Sequence, residues 1–146
     1  MKVQHTEVLK GSADEIFSAF EDPEVIAAWQ DNLLEFEQVK GSFQKKGGVA
    51  QMKVRQVGMT NDLTVTVLDR DAKKFRVKYG YEGAQAPFEI ANTFIDLGDG
   101  TTEWTAVMDV KLNLLTKALG PVLKPLANEL VKGNGKSFGA WCASEF

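Results

Sequence analysis

The chain has 146 residues, 44% of them hydrophobic and 25% charged, with a formal net charge of -3. That length fits one domain, residues 1–146, able to bury roughly 68–70% of its unfolded-state surface, and the composition excludes disorder. The acidic balance and the lack of any basic stripe exclude the electrostatic footprint of a nucleic-acid partner or an anionic membrane.

In chain order, MKVQHTEVL is predicted to be a first strand that pairs beyond the last one. Its inward face is open between Val3, His5, Leu9 and Gln4, Thr6, Val8. GSADEIFSAFEDPEVIAAWQ then packs two helix starts into twenty positions. Ser12 and Glu15 have the spacing of a capping box, and Asp22-Pro23 places an N-cap before a proline at the first helical position. Helices of about two turns are unstable alone in water, so each needs a surface to rest on. Ile16, Phe17 and Phe20 form one apolar face, and Val25, Ile26 and Trp29 the other.

After residue 32 helical spacing gives way to alternation, the pattern of half-buried strands. Met52, Val54 and Gln56 share one face, as do Leu63, Val65 and Val67, then Phe75, Val77, Tyr79 and Tyr81. Phe88, Ile90, Asn92 and Phe94 follow, and last Thr102, Trp104, Ala106, Met108 and Val110. GSFQKKGG, GMTND, DRDAKK, EGAQAP and GDG supply turns between them. A loop at Gly98-Asp99-Gly100 sets Phe94 against Trp104 and Ile90 against Met108; the preceding turns set Tyr79 against Ile90, Val77 against Asn92, Val67 against Phe75 and Val65 against Val77. The reverse face carries Lys53, Arg55, Arg76, Lys78, Glu89, Glu103 and Asp109 and belongs in water.

A meander with one apolar face needs a cover, and the tail supplies it. Leu115, Leu119, Val122, Leu126 and Leu130 recur at spacings of three and four, followed by Phe138 and Trp141, as in one long amphipathic helix. Pro121 and Pro125 should bend or delay its start, and Gly133-Asn134-Gly135 should weaken its middle.

Asn92 is the most informative polar residue, because a buried amide without partners costs about 1–3 kcal/mol. A protein group, a water or a ligand must satisfy it. Gln38, Gln56, Tyr79, Tyr81 and Asp96 are similar candidates, with Gln38, Tyr81 and Asp96 expected near the sheet ends. Only Tyr79, Asn92 and Asp96 form a set on one face that could do acid-base work: Tyr79 donating to an oxyanion, Asn92 holding it, and Asp96 acting as base if desolvation raised its pKa. Asp31, Glu35 and Glu37 read as a solvated strand edge. Cys142, with no His or basic cluster nearby, reads as packing, and a single cysteine allows no internal disulfide. With one histidine it makes no zinc cluster of the usual kinds, so no metal and no cofactor are expected. No apolar run approaches about 18 residues and no signal-peptide pattern opens the chain, so stable membrane insertion is not expected and a cytoplasmic location is.

The Ser-Ala-Asp-Glu-Ile-Phe run, the Asp22-Pro23 to Trp29 segment and the Gly-Asp-Gly-Thr-Thr-Glu-Trp hairpin, taken in this order over nearly the whole chain, resemble the START-related, birch-pollen-allergen-like superfamily that includes polyketide cyclases. The resemblance implies an α+β helix-grip fold: a curved antiparallel sheet of six to seven strands wrapped around a long C-terminal helix, with two short helices after the first strand closing one end. It also implies a cavity for a small hydrophobic molecule such as a lipid, quinone or polyketide. The positions that match its cavity-facing ones are Met52, Val54, Leu63, Val65, Val77, Tyr79, Ile90, Phe94, Trp104, Ala106 and Met108 on strands and Leu119, Val122, Leu126 and Leu130 on the helix, with Gln56 and Asn92 as polar additions. Two other functions are compatible with this shape: a cyclase, aromatase or dehydratase, and a module that binds a protein partner. The second of these predicts a filled core and an exposed apolar patch.

Overall fold

The computed structural model describes residues 1–56, 58–83 and 86–146. Seven strands form one antiparallel sheet in the order β1-β7-β6-β5-β4-β3-β2: β1 Lys2–Lys10, β2 Leu33–Lys40, β3 Val49–Gln56, β4 Met59–Asp71, β5 Arg76–Glu82, β6 Phe88–Asp96 and β7 Thr101–Val110. Strands β2 to β7 are the expected meander, and β1 pairs beyond β7 as predicted. Because β1 and β2 occupy opposite edges, the segment joining them has to cross the sheet. Helices α1 (Ala13–Phe20) and α2 (Pro23–Trp29) make that crossing, which is why two helices of eight and seven residues exist here.

Both helices are capped as their sequences require. The Ser12 hydroxyl accepts from the Glu15 N–H at 3.3 Å while the Ser12 N–H donates back to Glu15 Oε1 at 3.4 Å. Asp22 Oδ1 accepts from the Glu24 N–H at 3.0 Å. Their stability comes from burial: Ile16, Phe17, Phe20, Ile26 and Trp29 are all in the core.

The register of β5, β6 and β7 is as expected, with Tyr79 facing Ile90, Val77 facing Asn92, Phe94 facing Trp104 and Ile90 facing Met108. The β4–β5 register differs. Val67 faces Tyr79 instead of Phe75, and Val65 faces Tyr81 instead of Val77. Strand β4 runs on to Asp71, whose side chain accepts from the Lys74 N–H at 3.3 Å and starts a 3-10 turn at Ala72–Lys74. Phe75 ends that turn in the left-handed region, φ 52°, and so leaves the strand. A bulge between Val67 and Asp69 absorbs the remainder. The shift is an even number of residues, so the faces stay sorted.

The C-terminal helix α3 (Gly120–Glu145) follows a 3-10 turn at Lys117–Leu119 and is continuous through Gly133-Asn134-Gly135. It lies on β1, whose inward residues are Val3, His5, Glu7 and Leu9. Its buried face is Ala127, Val131, Gly135, Phe138 and Cys142. Gly135 has a packing role: a Cβ there would stand 2.6 Å from His5 Cδ2 and 2.7 Å from His5 Nε2. A glycine lets the helix lie flat where the His5–Glu7 pair, joined at 2.9 Å, rises from the strand. The leucine stripe expected to face the sheet does not do so. Leu119 is exposed, Val122 is 65% and Leu126 56% exposed, and Leu130 is half-buried.

Candidate functional site

The concave side of the sheet meets α1, α2 and α3 around an aromatic cluster centred on Phe20. Its ring stacks with Trp29 and Tyr79, each at 6.2 Å between centroids, and meets Phe94, Trp104 and Phe138 edge-on at 5.1 to 5.4 Å. Phe43, from the segment between β2 and β3, stacks on Tyr79 at 4.8 Å. Beside this cluster lies a cleft lined by Phe20, Ile26, Trp29, Gln30, Phe43, Met52, Tyr79, Tyr81, Ile90, Asn92, Trp104, Ala106, Val131 and Asn134. It contains about 40 Å³ of space for water centres, room for a few waters and well short of the ~150 Å³ that admits a benzene ring.

Six of the expected positions meet here: Met52, Tyr79, Ile90, Asn92, Trp104 and Ala106. Val54, Val65, Val77, Phe94 and Met108 are buried in the core away from the cleft, and Leu63 packs against the core from a half-buried position. Leu119, in the turn before α3, and Val122 and Leu126, on its exposed face, stay outside, and Leu130 packs at the core margin. The side chain of Gln56 lies outside the described residues. Gln38 is exposed on the edge strand and donates to the Lys40 and Val49 carbonyls.

Asn92 is satisfied within the protein. Its Oδ1 accepts from the Trp104 indole N–H at 3.1 Å, and its Nδ2 donates weakly to the Val77 carbonyl at 3.4 Å. The amide therefore holds the Trp104 ring. Asp96 is not at the cleft. It sits exposed at the end of β6, where it accepts from the N–H groups of Ala13 at 3.1 Å and Gly98 at 2.8 Å. These bonds hold its carboxyl below the usual range, the reverse of what a base would need, so the expected trio reduces to Tyr79 and Asn92.

Two polar atoms of the cleft wall are buried without any hydrogen-bond partner among the described residues: Trp29 Nε1 and the Tyr79 hydroxyl. Trp29 is 6% exposed and Tyr79 3%. Burial raises the Tyr79 pKa well above its ordinary value, with smaller contributions from Tyr81 and Glu21, so the group remains a phenol. Sequence reasoning marked Tyr79 but placed Trp29 in the core; nothing in spacing shows that an indole N–H will lack an acceptor. It also missed Glu21, which is 2% exposed and grips Arg70 through two bonds, Nε to Oε2 at 2.5 Å and Nη2 to Oε1 at 2.9 Å. The Arg70 guanidinium also lies over the Phe17 ring at 5.5 Å. This pair ties α1 to β4 beside Tyr79 and neutralises itself, and among the described residues no charged side chain lines the cleft. Trp29 also borders a groove of about 470 Å³ open between α2 and α3, with Lys136, Ala140 and Trp141 on its far wall. Trp29 thus lines both the inner cleft and the outer groove.

Cys142 is fully buried and its thiol is pushed up to about 12, as expected for a packing residue. No described helix is long and apolar enough to cross a membrane.

This architecture, a seven-stranded antiparallel sheet gripping a C-terminal helix with two short helices after β1, is the helix-grip fold. The chain belongs to the polyketide cyclase / dehydrase and lipid transport family, whose model matches residues 1–139. Among solved structures it is similar to a START superfamily protein from Mycobacterium smegmatis, at 19% identity over 99% of both chains with a TM-score of 0.84. It is also similar to the Zhui aromatase/cyclase from Streptomyces sp. R1128, at 14% identity over 94% of this chain and 93% of that one, TM-score 0.71. A third similar structure is the major latex-like protein 151 of Panax ginseng, at 17% identity over 97% of both chains, TM-score 0.73. Among curated proteins none matches the sequence significantly.

Proposed function

We propose that this protein binds a small hydrophobic molecule, of lipid, quinone or polyketide type, in the cleft between Phe20, Trp29, Tyr79 and Val131. The observation that carries this reading is a mostly aromatic and aliphatic wall with three amides, free of charge among the described residues, in which two buried donors have no partner there. An unmet buried donor costs about 1–3 kcal/mol, so a fold that needed only a core would gain by replacing both. Because the cleft is smaller than one ring, entry must displace its wall, and Trp29, which lines both cleft and outer groove, is the side chain placed to move.

The test compares the mass of purified protein under native and denaturing spray, followed by extraction of any difference and thermal-shift measurements with lipids, quinones and aromatic polyketides. A noncovalent apolar adduct, or a rise in Tm with one class, is the expected result. No adduct and no stabilisation would overturn the reading in favour of a module that binds a protein partner. One observation favours that second reading: Leu114, Leu115, Leu119, Val122 and Leu126 form an exposed apolar run before and along the first turns of α3. A cyclase or dehydratase reading has Tyr79 as a donor, but the cleft offers it no carboxylate, histidine or lysine as base among the described residues.

A further inference from the structure

We propose that the ligand of this cleft is uncharged and carries a carbonyl-type oxygen that accepts hydrogen bonds from the Tyr79 O–H and the Trp29 indole N–H. The proposal rests on the ligand-binding reading and narrows it to one chemistry.

Trp29 Nε1–H can only donate, and a phenol that remains protonated offers its O–H as well. Of the other polar groups of the wall, Asn92 Oδ1 already accepts from the Trp104 N–H, while Gln30, Tyr81 and Asn134 are only half-buried. The Trp29 and Tyr79 rings flank the same Phe20 ring, each stacked 6.2 Å from it, and both residues line the one cleft. A hydrocarbon placed there would leave both donors buried and unpaired. A ligand whose polar groups are donors only would do the same. A carbonyl oxygen, with two lone pairs, meets them.

Charge points the same way. An anion would gain from the two donors but would enter a wall with no cation among the described residues, since Arg70 nearby is already engaged bidentately by Glu21. A cation would find no free carboxylate among those residues, for the same reason. Burying an unpaired ion costs far more than one hydrogen bond returns. The raised pKa of Tyr79 agrees, because it keeps the phenol neutral as a donor over the whole physiological range.

The experiment uses three probes on one ring skeleton: tetralin, 1-tetralone and tetralin-1-carboxylate. Each is titrated into the full chain and into Tyr79→Phe and Trp29→Phe. The quantity read is the ratio of tetralone to tetralin affinity, which cancels ring packing. Tyr79→Phe removes only an unpaired hydroxyl, so its Tm should equal or exceed that of the parent, which keeps the comparison clean. The expected result is a fall in the ratio of about fivefold to tenfold in at least one variant, the size of one net hydrogen bond. A ratio unchanged in both variants would overturn the proposal while leaving ligand binding intact, and would assign the two donors to solvent. Tighter binding of the carboxylate than of the ketone would overturn the neutrality it requires. Failure of all three probes, together with the wider panel above, would remove the ligand-binding reading and this proposal with it.

Discussion

Asn92 shows how one side chain can be conspicuous in a sequence for the right physical reason and serve another end. An amide on an apolar face must find partners, and here it finds Trp104 and a strand carbonyl. Asn92→Leu should therefore cost stability, by about 1–3 kcal/mol, because it strands the Trp104 N–H in the core. Urea unfolding checks this, and an unchanged midpoint would show that the indole N–H has another acceptor. Asp96 gives a pH prediction of definite sign. Its folded pKa is depressed by the Ala13 and Gly98 N–H groups, so its contribution to stability is present above the unfolded value, about 3.9, and is lost as pH falls through the folded one. Asp96→Asn should lose less stability than the parent as pH falls from about 5 to about 3, the window that opens above the unfolded value and leads toward the depressed one. Equal losses on acidification in both proteins would rule out that linkage.

At the scale of elements, α3 carries two apolar stripes. One is made of large residues, Val122, Leu126 and Leu130 continuing from Leu119 just before the helix, and the other of mostly small ones, Ala127, Val131, Gly135, Phe138 and Cys142. Pattern alone favours the larger, yet the smaller is buried, because β1 presents His5 and Glu7 to the helix and leaves room only for a glycine above them. Two glycine substitutions separate propensity from packing. A Cβ on Gly133 would meet nothing within 4 Å, so Gly133→Ala should stabilise by roughly 0.5–1 kcal/mol. Gly135→Ala has the same helical gain but meets the His5 ring at 2.6 Å and should destabilise. His5→Ala in the Gly135→Ala background should recover part of the loss. Thermal unfolding of the parent and the three variants is the measurement, and a stabilised Gly135→Ala would mean that β1 yields to the helix.

For the molecule as a whole, the sheet grips α3 unequally. From Ala127 onward the helix is anchored on β1, whereas its first turns, with Val122 and Leu126 mostly exposed, have no such hold. Amide exchange should be faster over residues 111–124 than over 127–142 in the free protein. It should slow around Leu119 to Lys136 when a cleft ligand binds, since Val131 and Asn134 are part of the wall. Equal exchange with and without a bound ligand would show that entry does not involve this segment.

The order of elements, both helix caps, the place of β1 beyond β7 and the pairing of β5, β6 and β7 follow from local rules, in which capping residues, alternation and short turns each act over a few positions. Where a connection is longer the rules lose grip: the 3-10 turn and the left-handed Phe75 moved the β4–β5 pairing, although an even shift kept every face as read. The candidate site was legible only in part, and for a related reason. Met52, Tyr79, Ile90, Asn92, Trp104 and Ala106 reach the cleft because alternation alone sends them to the concave face. Which face of α3 turns inward, that Glu21 meets Arg70 forty-nine positions away, and that Trp29 and Tyr79 keep their donors unpaired all depend on how separate elements fit against one another. Those are contacts between distant parts of the chain, set by shape and burial, and only the assembled sheet and helices decide them.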